Sequence, residues 1–115
     1  MMNVFLDDTR PCPEGFRLVR TVDQCIKLLK HHKIDVLSLD HDMGYHQPTG
    51  YDLAKYMVSK RLFANEIIIH SANPIGSLKM YFLLDRHKPE HVSLSIRPRP
   101  FEISPDLRRS QGKFS

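Results

Sequence analysis

Ile34-Asp35-Val36-Leu37-Ser38-Leu39-Asp40 is the stretch on which the reading of this chain turns. Its apolar run predicts a buried strand, and the polar triplet Asp40-His41-Asp42 closes it. Upstream, Val4-Phe5-Leu6 has the same form and ends on Asp7-Asp8. Downstream, Glu66-Ile67-Ile68-Ile69 has it again and ends on His70-Ser71. Helical patterns separate these runs. Thr21, with Gln24 three residues later, predicts a capped helix from about Val22, with Val22, Cys25, Ile26 and Leu29 on one face. Thr49 predicts the cap of a second helix, with Leu53, Ala54, Met57 and Val58 as its apolar stripe and Asp52 near its positive end. Asn73-Pro74 predicts the start of a third, running to about Arg86. Two weaker strand signals remain: Phe16 to Arg20, read as half-buried or edge, and Val92 to Ile96, stopped by Arg97-Pro98-Arg99-Pro100. Apolar strands alternating with helices predict an α/β protein with a mostly parallel sheet.

Composition agrees with one folded domain. The 115 residues are too few for two ordinary domains, and 41% hydrophobic with 26% charged residues excludes a disordered or collagen-like chain. No apolar run approaches the ~20 residues of a membrane span, so no membrane is expected. Cys12 and Cys25 stand in no metal-ligand or disulfide spacing and fit a reducing, cytoplasmic setting. Residues 97–115 carry Arg97, Arg99, Arg108, Arg109 and Lys113 against Glu102 and Asp106, a net of +3 within a chain total of +4. The expected organisation is a domain over residues 1–97 and a basic Pro/Arg-containing tail over 98–115. Such a tail either keeps the chain soluble or touches nucleic-acid phosphates.

In parallel sheets the ligand crevice lies outside the carboxyl ends of the strands. The polar residues of this chain sit there: Asp7 and Asp8, then Asp40, then His70 and Ser71. Carboxylates gathered in a poorly solvated crevice repel one another by several kcal/mol unless something neutralises them. A hard divalent cation does so with the oxygen ligands it prefers, and Mg²⁺ usually takes a phosphate oxygen as well. Asp7, Asp8 and Asp40 are therefore the expected ligands of Mg²⁺ or Mn²⁺. Arg10, Ser71 and Asn73 are the expected phosphate-binding residues, aided by free amides at the Pro74 helix start.

Taken in order, strand–Asp7-Asp8, capped helix, strand–Asp40, Thr49-Gly50 helix and strand–Ser71 resemble the receiver domain of bacterial response regulators over about residues 3–97. The resemblance implies a flavodoxin-like three-layer sandwich in which Asp40 is the phosphoryl acceptor. Two features depart from the receiver pattern. Only residues 9–15 separate the first two strands, a span of roughly 23 Å when extended, so the first crossover helix is missing. Arg97 or Arg99 stands where receivers carry a phosphate-contacting lysine.

Asp7-Asp8-Thr9-Arg10-Pro11, Leu39 to Gly44, Thr49-Gly50-Tyr51-Asp52 and His70-Ser71-Ala72-Asn73-Pro74-Ile75-Gly76 resemble a narrower family, the cyclic-phosphate processing receiver-like domain. That resemblance implies a metal-dependent phosphoesterase or phosphotransferase acting on cyclic or terminal phosphates of nucleotides or RNA ends. It also leaves room for a protein partner in a signalling or RNA-repair system. The alternative function is a phosphoaccepting or degenerate receiver that controls a partner.

Hydrolysis of a cyclic phosphate needs a base for water and an acid for the leaving oxygen, and histidine suits both near neutrality. His41 and His70 stand at neighbouring strand ends and, with Asp40, are the expected catalytic residues. His46 lies in the next loop. His31 and His32 read as surface residues at a helix end, and His87 and His91 as structural. Tyr45 and Tyr51 border the crevice, where they either pack half-buried or stack on a base or ribose.

Overall fold

The computed structural model describes residues 1–98. Eight elements follow in chain order: β1 Met2–Leu6, β2 Arg17–Val19, α1 Val22–His31, β3 Ile34–Leu39, α2 Gly50–Lys60, β4 Glu66–Ile69, α3 Pro74–His87 and β5 Ser93–Ile96. The strands form one sheet in the order β2-β1-β3-β4-β5, and every neighbouring pair is parallel. The α/β, receiver-like architecture is as the sequence reads. Residues 7–16 link β1 to β2 without a helix, so the first crossover helix is indeed missing.

Each helix forms where its ends are satisfied. Thr21 Oγ1 accepts the Gln24 amide at 3.2 Å, while Gln24 Oε1 reaches back to the Arg20 amide at 2.8 Å. Thr49 and Asp52 exchange side-chain-to-backbone bonds in a full capping box, so Asp52 does more than complement the helix dipole. Asn73 Oδ1 accepts the Gly76 amide at 2.9 Å, with Pro74 in the first turn.

From β2 onward the chain always steps the same way across the sheet, and right-handed crossovers then put α1, α2 and α3 on one face. Cys25 and Leu29 of α1, Leu53 and Met57 of α2, and Met80 and Leu84 of α3 share one buried cluster with Val4, Leu6, Leu37, Leu39, Ile67 and Ile69. Each such fully buried aliphatic side chain contributes about 1.5–3 kcal/mol. The β1–β2 step runs the other way. Its connection lies on the opposite face, where Phe16 meets Phe5 edge to face at 6.5 Å. Among the described residues, that connection stands where the sandwich of the expectation has its second helical layer. Beyond Pro98, the expected basic tail, Arg99 included, lies outside the described residues.

A bulge sets the site. Met2 pairs with Ile34 but Val4 pairs with Leu37, so β3 carries one extra residue around Asp35-Val36. Asn3 Oδ1 accepts the Val36 amide there at 3.3 Å. Beyond the bulge Leu6 pairs with Leu39, and Leu39 with Ile69. Three strand ends are thereby level, and Asp7, Asp40 and His70 are the next residue of each.

Candidate functional site at the carboxyl edge of the sheet

The pairing continues one residue past the strands. Asp40 N–H donates to Leu6 C=O at 3.0 Å, and His70 N–H to Leu39 C=O at 2.9 Å. Asp7, Asp40 and His70 consequently converge, and one ligand atom from each lies within 4.8 Å of the others. Asp7 and His70 are fully buried, and Asp40 is 9% exposed.

Asp7 is held ionised. Burial pushes its carboxyl up, but the Arg10 and Thr9 amides, both 2.9 Å from Oδ1, and the His70 ring together bring it below the ordinary carboxylate range. Asp40 shows the opposite balance. Burial first, and then the charge of Asp7, push its pKa up to about 6, against bonds from the His41 amide and the Ser71 hydroxyl. One anion therefore sits beside a carboxyl that resists ionisation. A cation between them removes the conflict, so the donor set fits a hard divalent ion. Asp8 is partly buried, and its Oδ2 lies 3.6 Å from the point where a Gly44 Cβ would stand. It borders the loop after β3 and is not in the converging trio.

His70 is placed differently from a proton carrier at an open rim. Ionised Asp7 only accepts, so Nε2–H donates to Asp7 Oδ2 at 2.9 Å, and Nδ1 accepts the Ser38 hydroxyl at 2.7 Å. The ring stacks on Phe5 at 4.5 Å and 8°. Burial holds its pKa low, against the pull of Asp7, and keeps it neutral. Its site is a buried socket, and its geometry orients Asp7.

His41 stands at the rim. Its Nδ1–H donates to Asp42 Oδ1 at 2.7 Å, which turns Nε2 into the basic nitrogen of the neutral ring. Asn73 Nδ2 donates to the same Asp42 oxygen at 3.2 Å. The His41 bond, ahead of that from Asn73, holds the Asp42 carboxyl below its ordinary range. Two glycines make room for this arrangement. A Cβ on Gly76 would stand 2.5 Å from the His41 ring, and one on Gly50 would stand 2.0 Å from the Asp40 carbonyl oxygen. The α2 start thus packs directly on the end of β3, where Gly50 N–H donates to His41 C=O at 2.8 Å.

The expected phosphate-binding residues are nearby but engaged. Arg10 Nη1 donates to the His70 and Pro98 carbonyls, each at 2.9 Å, and Nε lies 3.8 Å from Asp7 Oδ2. Asn73 spends its amide on Asp42 and its carbonyl on the helix cap. Ser71 Oγ accepts the Asn73 amide at 3.0 Å. Arg97 is exposed, and its N–H donates to Ile69 C=O at 2.7 Å. Ser38, Asp42 and Arg20 did not emerge as site residues from the sequence. Ser38 reads as a strand interior residue, and Arg20, which donates to the Asp7 carbonyl at 3.1 Å, lies 13 positions away. Only Asp42, inside the Asp40-His41-Asp42 triplet, carried a sequence signal.

Comparison with known proteins gives one family match and a likeness of fold. The profile of a family described as cyclic-phosphate processing receiver domain matches residues 2–86. The response regulator domain of Thermotoga maritima CheB, a crystal structure, is similar in fold, with a TM-score of 0.52. It is 14% identical over an alignment covering 98% of this chain and 90% of that one. A search of curated proteins gave no match. No helix of the described residues is long and apolar enough to cross a membrane.

Proposed function

The chain belongs to the cyclic-phosphate processing receiver family, and from that premise we propose that it is a divalent-metal-dependent phosphoesterase. Its substrate class is a cyclic or terminal phosphate on a nucleotide or an RNA end. The observation that carries the reading is the buried Asp7–Asp40 pair next to a histidine whose free nitrogen is set by Asp42.

Asp7 and Asp40, with Asp8 beside them, are the residues that would hold Mg²⁺ or Mn²⁺. When bound, such an ion supplies positive charge against phosphate oxygens. His41 Nε2 takes a proton from the attacking water as the new P–O bond forms. The bond from phosphorus to a ribose oxygen breaks, and the proton returns from His41 to that oxygen. Asp42 steadies the ring while it is charged, and Asn73 steadies Asp42. His70 has a positioning role in this reading: it fixes the Asp7 carboxylate. Arg10 ties the acid loop to the end of β4, and Ser71 holds Asp40.

The test is turnover of a nucleoside 2′,3′-cyclic phosphate with Mg²⁺ or Mn²⁺. Asp40→Ala should abolish it, and His41→Ala should reduce it about 100-fold or more, the ordinary range for a lost acid–base group. Unchanged turnover in both variants would refute the reading.

The receiver fold itself favours one second reading, a phosphoaccepting domain, because Asp40 ends the central strand beside Ser71. Acetyl phosphate separates the two. A stable adduct of about 80 Da on Asp40, without hydrolysis of cyclic phosphates, supports signalling through a protein partner.

A further inference from the structure

The loop between β3 and α2 sets an exposed tyrosine beside a histidine at successive residues. Tyr45 is 88% exposed, the most exposed aromatic side chain among the described residues. His46 adopts φ 59°, a left-handed backbone that histidine enters more readily than most residues with a Cβ. The pair forms the centre of a turn, and the left-handed φ of His46 belongs to the second of its two central positions. The Gln47 amide closes this turn on Gly44 C=O at 3.2 Å, Gly44 leads into it at φ 101°, and buried Met43 anchors it. Tyr45 and His46 face each other, with ring centroids 3.9 Å apart and planes tilted by 49°. The turn accounts for the His46 backbone, whereas the 88% exposure of the Tyr45 ring adds nothing to the core and points to a role outside folding.

The position of the pair says which role. The same loop begins with His41 and Asp42, and at Gly44 it lies against Asp8 Oδ2. Tyr45 and His46 follow directly on that contact, so chain connectivity keeps their exposed side chains in the neighbourhood of the acid cluster. Aromatic faces in water beside a phosphate site suit a flat, π-bearing group, and a nucleobase is the group attached to a ribose phosphate.

We propose that Tyr45 and His46 form a stacking platform for the base of the substrate. The protein then takes its phosphate on a nucleoside and discriminates against the same phosphate without a base. This specificity role rests on the phosphoesterase reading above.

The experiment compares a nucleoside 2′,3′-cyclic phosphate with glycerol 1,2-cyclic phosphate, which has no base. Tyr45→Ala should raise KM for the nucleotide about tenfold, the worth of one base stack. It should leave kcat, and KM for the glycerol substrate, unchanged, and Tyr45→Phe should behave as wild type. Equal effects on both substrates, or none on either, overturn the platform. If the wild-type protein turns over neither substrate, the phosphoesterase reading falls and calorimetry still decides the platform. A nucleoside 3′-monophosphate should then bind about tenfold tighter than inorganic phosphate, with the margin lost in Tyr45→Ala. Equal binding of the two ligands, or a margin that survives Tyr45→Ala, overturns it. The exposure of Tyr45 leaves no core contact to lose, so its variants test recognition and not folding.

Discussion

His70 Nε2 and Asp7 Oδ2 meet at 2.9 Å across 63 positions of sequence, in a place where neither residue is exposed to solvent. The contact welds the end of β4 to the end of β1 through the strand between them. Ser38, on that middle strand, holds the other ring nitrogen. Removing the imidazole strands a buried carboxylate oxygen and empties the space against Phe5. His70→Ala should cost about 3–5 kcal/mol in urea unfolding, the range for breaking a buried paired group. A loss below about 1 kcal/mol would mean that the triad is dispensable to the fold.

Asp40 makes the stability of the metal-free protein fall as pH rises. In the unfolded chain its carboxyl ionises at the ordinary value of 3.8, whereas in the folded protein it does so only at about 6. Below the lower value both states are protonated and nothing is lost. Through the window the unfolded state releases its proton first and is favoured, and above the upper value the penalty is complete, at about 3 kcal/mol. Asp40→Asn, which keeps an acceptor for the His41 amide, should match wild type near pH 3.5 and exceed it by that amount at pH 7.5. Denaturant titrations in EDTA at the two pH values decide it. A variant no more stable than wild type at pH 7.5 would count against a charge conflict with Asp7.

Much of this arrangement was readable before any coordinates, and the reasons differ by residue. Asp7, Asp40 and the start of α3 announce themselves because strand ends and caps leave local marks. The missing helix follows from chain length alone. The role of His70 does not, because its partners Ser38 and Asp7 reach it through sheet register, and register depends on the bulge at Asp35-Val36. Periodicity reports that a residue lies on a strand end and is silent on whether it turns inward. His41 and His70 look equivalent in sequence, yet one ring lies over Gly76 at the rim and the other is sealed beneath Asp7. Arg10 and Asn73 were legible as neighbours of the site. That their polar atoms serve the protein itself is a product of packing.

The two glycines of the site should respond differently to alanine. At Gly50 the added carbon meets the backbone carbonyl of Asp40 at 2.0 Å, and backbone cannot step aside. Gly50→Ala should therefore destabilise the fold by more than about 3 kcal/mol, the upper part of the range for overpacking. At Gly76 the obstacle is the His41 ring at 2.5 Å, which can rotate away. Gly76→Ala should cost little stability but lose most turnover, because the ring leaves Asp42. Thermal melts and cyclic-nucleotide assays on both variants separate the cases, and equal melting losses would contradict the assignment.

A cation at the acid cluster must also stabilise the fold, because it binds a site that only the folded chain assembles. At a concentration 100 times its dissociation constant the gain is about 2.7 kcal/mol. Part of that gain is relief of the Asp7–Asp40 repulsion, so it should grow as pH rises through about 6, where Asp40 ionises. Mg²⁺ or Mn²⁺ should therefore raise the melting temperature of wild type at pH 7.5 and far less at pH 5. Asp7→Asn and Asp40→Asn should lose the effect at both values. His41→Ala, which removes no carboxylate, should keep it. A melting shift that survives Asp40→Asn would place the ion elsewhere on the protein, and one that disappears in His41→Ala would make the imidazole a ligand instead of a proton carrier.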